Sequence, residues 1–127
     1  MKKEEQVIHV ITKGPGMSPN EYQKLAMRTC CIPYDQKRDM LMHAVLGLAS
    51  EAGEVAGIFQ KKHQGHKVDP EHLKKELGDC LWMIAEACTA LDWNMEDVMQ
   101  LNIEKLKARY PDGFDTDHSL HRKDGDV

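Results

Sequence analysis

The chain predicts an all-α protein, an antiparallel bundle of about four helices assembled as a homo-oligomer. Three observations carry this. Apolar residues recur at steps of three and four over long stretches, and Ser18, Asp69 and Asn94 stand where helix caps belong. Clusters rich in glycine and proline separate the stretches. Wide apolar stripes on three helices of a 127-residue chain call for burial against a copy of the same chain, as a homodimer or homotetramer.

Residues 1–17 are read as an N-terminal arm, 18–113 as the helical domain and 114–127 as a polar C-terminal tail. The arm holds a short apolar patch around Val7 to Ile11 and ends in Thr12-Lys13-Gly14-Pro15-Gly16. Its charged start lacks the long apolar region of a secretory signal, and no apolar run is long enough to span a bilayer, so a cytoplasmic protein with no membrane partner is expected. Lys and Arg number 17 against 21 Asp and Glu, and aromatics make up 6% of the chain, so the footprint of a polymeric nucleic-acid binder is missing. Cys30, Cys31, Cys80 and Cys88 form no C-x-x-C pair and read as reduced, buried thiols.

The first helix is expected over about residues 19 to 30, capped by Ser18 and broken by Ile32-Pro33-Tyr34. The second runs from about Gln36 to His63, with Leu41, Val45, Leu48, Ala52, Val55 and Phe59 as a buried stripe. One residue earlier runs a second line of His43, Gly47, Glu51, Glu54 and Ile58. Gly47, Gly53 and Gly57 suggest close approach by another backbone or a ligand. The third helix starts near Pro70, behind the cap Asp69, on the stripe Leu73, Leu77, Cys80 or Leu81, Ile84, Cys88 and Leu91. Its preceding line is His72, Glu76, Asp79, Met83 and Glu86. The fourth runs from the cap Asn94 to about Tyr110, with Met99, Ile103, Leu106 and Tyr110 inward and Asn102, Lys105 and Arg109 on the preceding line. The tail holds His118, His121 and Arg122 with little to bury and is expected to be mobile unless a partner subunit orders it.

The chemistry lies in two acidic pairs, Glu51/Glu54 and Glu76/Asp79. Residues three apart on a helix are separated by about 60° of rotation and about 4.5 Å of rise, so each pair can reach one point. Two antiparallel helices can then face four carboxylates into an oxygen-rich cage. Such a cage suits Mg²⁺ first and Mn²⁺ second, and Mg²⁺ directs attention to phosphoester or phosphoanhydride substrates. The competing reading of solvated acids on amphipathic helices suits a single pair better than two pairs in consecutive helices.

Gly47-Leu48-Ala49-Ser50-Glu51-Ala52-Gly53-Glu54-Val55, Lys75-Glu76-Leu77-Gly78-Asp79-Cys80-Leu81-Trp82 and Asn102 to Pro111 together resemble the MazG-type all-α nucleoside triphosphate pyrophosphohydrolases, over roughly residues 20 to 114. The resemblance implies a Mg²⁺-dependent enzyme that splits a nucleoside triphosphate into the monophosphate and pyrophosphate. It implies Glu51, Glu54, Glu76 and Asp79 as catalytic metal ligands, Lys105 and Arg109 on phosphates, and Asn102 near substrate or metal. The first acid of the family's E-E-x-x-E element is Ser50 in this chain. His43, Lys62 and Trp82 are further substrate-binding candidates: His43 shares the line of Glu51, Lys62 can meet a phosphate and Trp82 can stack on a base. Structural roles for His43 and Trp82, and a solvated loop for Lys62, are the competing readings.

Two other classes compete with an enzyme of this kind. One is a non-catalytic helical oligomerisation or regulatory module with a structural cation site. The other is a ferritin-like di-iron bundle, which requires Glu-x-x-His elements that neither acidic pair supplies. A zinc site at His63 and His66 lacks a nearby cysteine or acid.

Overall fold

A computed structural model describes residues 16–126, and the expected arm falls almost wholly outside them. The described residues form five helices: α1 (Pro19–Met27), α2 (Lys37–His63), α3 (Pro70–Ala90), α4 (Met95–Arg109) and the short α5 (Thr116–Leu120). Among them no helix is long and apolar enough to cross a membrane.

Local chemistry sets the helix starts. Ser18 and Glu21 form a capping box, the Ser18 hydroxyl accepting from the Glu21 N–H and the Glu21 carboxylate accepting from the Ser18 N–H. Asp69 accepts from the Glu71 N–H at 3.0 Å, with Pro70 in the first helical position. Asn94 precedes α4 as expected, yet its side chain makes no capping bond. Instead α1 supplies the cap: Gln23 Oε1 accepts from the Met95 N–H and Asn20 Oδ1 from the Glu96 N–H. This satisfies two orphan donors of α4 and ties its start to α1. The first helix ends at Met27 rather than near residue 30, where Arg28 and Thr29 make tighter turn bonds to Leu25 and Ala26.

The long helices α2 and α3 pack along each other, α1 lies on α3, and α4 meets α1 and α3. The core is small: Ala26, Ala85, Cys88 and Met95, with Tyr22, Met27, Trp82 and Ile84 packed against it. Beyond Met95, every α4 residue from Glu96 to Ala108 is exposed. The expected inward set Met99, Ile103 and Leu106 therefore faces outward in the single chain.

A similar inversion holds on α2. Met40 and Ala44 are buried and Gly47, Glu51 and Ile58 half-buried, whereas Val45, Leu48, Ala52 and Phe59 of the expected core stripe are exposed. Of the line carrying the acids, Gly47, Glu51 and Ile58 are turned toward the neighbouring helix while His43 and Glu54 are exposed, and Leu41 and Val55 of the other stripe are half-buried. Leu77 and Leu81 on α3, and Leu91 just after it, are likewise exposed, while Ala85, Glu86, Cys88 and Ala90 are buried. In one chain α2 has chiefly α3 to lie on, so only one of its two lines can be covered. Gly47 makes room for a side chain of the neighbouring helix: a Cβ there would sit 2.4 Å from Met83 Sδ. Gly53 and Gly57 meet nothing within 4 Å, and the neighbour at Gly47 is a side chain rather than the backbone or ligand expected there.

The tail, expected to be mobile, folds back. Asp115 caps α5 through the Asp117 and His118 N–H groups, and Asp126 pairs with Arg109.

Candidate metal centre

The α2–α3 seam carries two clusters of charge. Two turns beyond His43, Glu51 meets Glu76 and Asp79 from α3, and one carboxylate oxygen from each of the three lies within 4.8 Å of the others. Glu54, the fourth acid of the expected cage, is exposed and is not part of this group. Partial burial, then repulsion from Asp79, Glu76 and Glu54, pushes the Glu51 carboxyl above its ordinary range. Asp79 also reaches Tyr22, whose phenol is pushed up first by burial and then by that charge. Glu76 has His72 Nε2 at 3.3 Å. No lysine or arginine among the described residues pairs with Glu51, Glu54, Glu76 or Asp79.

Three convergent carboxylates without a lysine or arginine partner form an all-oxygen donor set, and Glu51 is disfavoured as an anion by partial burial and then by its acidic neighbours. Such a set fits a hard divalent cation, which needs oxygen ligands and removes the repulsion. It does not fit a soft metal, since the group holds no cysteine or histidine.

The other cluster centres on Glu86, which is wholly buried. Both of its oxygens lie 2.8 Å from His43 Nδ1, and Cys30 Sγ is 3.8 Å from Oε1. Burial is the first cause of the raised Cys30 pKa. Trp82 stands edge-on to the His43 ring at 6.3 Å, while its indole N–H donates to Ala26 O and Thr29 Oγ1 at 3.0 and 2.9 Å. Trp82 thus joins α3 to the end of α1, and His43 meets an acid of the core. Glu86 is the only charged residue between Asp79 and Asp92, and a lone acid in so apolar a run was the signal that it needs an internal partner.

The candidate phosphate contacts lie elsewhere. Asn102 and Lys105 are on the exposed part of α4, and Lys62 is exposed in the last turn of α2. Arg109 presents its fork to Asp126, Nε to Oδ2 at 2.7 Å and Nη2 to Oδ1 at 2.5 Å. The single chain brings Glu51, Glu76 and Asp79 together; it does not pack Asn102, Lys105 and Arg109 against them.

The described residues define an all-helical protein with a cluster of three carboxylates at the seam of its two long helices. Residues 40–114 match the model of the MazG nucleotide pyrophosphohydrolase domain. The chain belongs to this MazG family. It is also 34% identical over 74 residues to the "Gene 37 protein" of Mycobacterium phage L5, an alignment covering 54% of this chain and 65% of that protein. The chain thus spans just under two thirds of the length of that relative. No solved structure matches it. The matched span holds the acid cluster and the His43–Glu86 pair; α1 and residues 115–126 lie outside it.

Proposed function

We propose that this protein is a Mg²⁺-dependent nucleoside triphosphate pyrophosphohydrolase, releasing pyrophosphate and a nucleoside monophosphate, with Mn²⁺ as a possible substitute ion. The observation that carries this reading is the Glu51, Glu76 and Asp79 trio, three converging carboxylates with no lysine or arginine partner, inside the span that defines the family.

Glu51, Glu76 and Asp79 would hold the ion, with Glu54 one turn further along α2 reaching it through water. When bound, the ion supplies Lewis-acid polarisation of phosphate oxygens and lowers the pKa of a water. The chain's own part is to fix those carboxylates on two packed helices, so that little reorganisation is left to the reaction. Lys105 and Arg109 would stabilise charge on the departing pyrophosphate, and Asn102 would lie beside the substrate. His43 and Trp82 would shape the seam from inside, and Lys62 would approach phosphates from the end of α2.

We infer that a partner copy completes the site. The exposed Val45, Leu48, Phe59, Leu77, Leu81, Ile103 and Leu106 provide apolar surface for a homodimer or homotetramer, in which a partner's α4 can approach the acids that its own chain's α4 does not. The same surface favours the second reading, a non-catalytic oligomerisation or regulatory module with a structural cation. A pyrophosphate-release screen over ribo- and deoxynucleoside triphosphates, with and without Mg²⁺, separates the two. Metal-dependent release supports the enzyme. Stabilisation by Mg²⁺, with no turnover and no further stabilisation by any nucleotide, supports the module.

A further inference from the structure

At the C-terminal end of α4 a cavity of about 360 Å³ opens between the helix and residues 118–126. None of the acid cluster lines it, and seven of its ten lining residues lie beyond the matched family span. Its cationic side chains are Lys105 and Arg109 from α4 and His118, His121, Arg122 and Lys123 from the tail. The two histidines are held by acids of α5 and its cap, His118 by Asp115 and His121 by Asp117. Lys105, Arg122 and Lys123 have no ion-pair partner among the described residues.

The tail lines this cavity with two acids, Asp124 and Asp126. Asp126 sits in the fork of Arg109, and the two side chains are only 19% and 10% exposed. Hydrogen bonding from Arg109 is the main reason its carboxyl titrates below the ordinary range, and Arg122 and Lys105 add to the effect. A carboxylate in a guanidinium fork offers the same pair of oxygens as a phosphate group. An isolated surface salt bridge would need Arg109 alone, yet three further uncommitted cations face the same space.

We propose that this cavity is an oxyanion site for a di- or polyphosphate group and that Asp126 is its built-in occupant, a tethered anion that the phosphate displaces from Arg109. Lys105, Arg122 and Lys123 then take the added negative charge, and the tail is released from α4. The inference rests on the proposed function only for the phosphate-contacting role of Lys105 and Arg109; the gating by Asp126 and the contributions of Arg122 and Lys123 are additional to it.

The test is a calorimetric titration of the metal-free full chain with inorganic pyrophosphate at low ionic strength. Asp126→Asn should bind pyrophosphate about tenfold more tightly than the wild type, the effect of one charged contact of ordinary strength. Arg122→Gln should bind it about fivefold to tenfold more weakly, and Arg122 has no ion pair whose loss would loosen the fold. In the wild type, pyrophosphate should also shift the Gly125 amide resonance as the tail leaves α4. Unchanged affinity in Asp126→Asn, or in Arg122→Gln should the first variant not fold, overturns the proposal. The titration involves neither metal nor turnover. A protein that hydrolyses nothing but binds pyrophosphate in this pattern loses the proposed function and keeps the plug, whereas an active enzyme whose Asp126→Asn variant binds no more tightly loses only the plug.

Discussion

Two charge clusters two turns apart on the α2–α3 seam solve the same electrostatic problem differently. In one, the wholly buried Glu86 accepts from His43 Nδ1 through both oxygens, so its carboxyl is partnered within the chain. In the other, Glu51, Glu76 and Asp79 bring three carboxylates within 4.8 Å, where the one neighbouring basic side chain is the exposed His72, 3.3 Å from Glu76. The same pair of helices supplies both. One buried acid thus has a histidine partner, whereas the three neighbouring acids have no lysine or arginine among the described residues, the difference on which the proposed cation site rests.

The largest expected effect breaks the second cluster. Glu51→Gln removes the α2 member of the trio and should reduce Mg²⁺-dependent pyrophosphate release about a thousandfold, measured as kcat/KM, with helicity unchanged by circular dichroism. Glu54→Gln, outside the trio, should lose less, about tenfold, as expected of a carboxylate acting through water. Equal losses in the two variants would show that Glu54 reaches the ion directly.

Breaking the first cluster should affect folding. His43→Leu leaves the Glu86 carboxylate buried without its partner and should cost about 3 kcal/mol of unfolding free energy, while a second change, Glu86→Met, should recover most of it. Denaturant melts of the single and double variants form the test. Recovery of stability without recovery of activity would assign His43 a role at the substrate as well.

A smaller effect concerns pH. Glu51 keeps its proton to higher pH in the folded chain than in the unfolded one, so its ionisation destabilises the fold. That cost is absent below the unfolded-state pKa and complete once the pH has passed the raised folded value. The metal-free protein should therefore lose stability through Glu51 as pH rises across the carboxylate range, and Glu51→Gln should remove this part of the slope. Asp126 has the opposite sign: its pKa is lowered by Arg109, so its contribution is present at neutral pH and is lost on acidification through its folded value.

Much of the fold was legible in the chain. The caps at Ser18 and Asp69 and the steps of three and four placed the four main helices to within a few residues, because capping and periodicity are local properties. The offset between acidic and apolar lines was legible as well, but not which line faces the neighbouring helix. Periodicity separates two faces of α2 without saying which one α3 covers, and the structure buries Ala44 and half-buries Glu51 while exposing Val45 and Phe59. The cap on α4 comes from Gln23 and Asn20, some seventy residues earlier, which no local motif can show. Arg109 was visible as a cation on a helix face; its partner Asp126, seventeen residues on, depends on how the tail turns back.

The comparison between the two clusters is tested most directly by thermal melts in EDTA and in millimolar Mg²⁺ for the wild type, Glu51→Gln and the His43→Leu/Glu86→Met double variant. Mg²⁺ should raise the midpoint of the wild type and of the double variant by similar amounts, through binding to the folded state, and should leave Glu51→Gln unmoved. An equal rise in all three, or none in the wild type, would contradict the assignment of the Glu51, Glu76 and Asp79 cluster as the metal site.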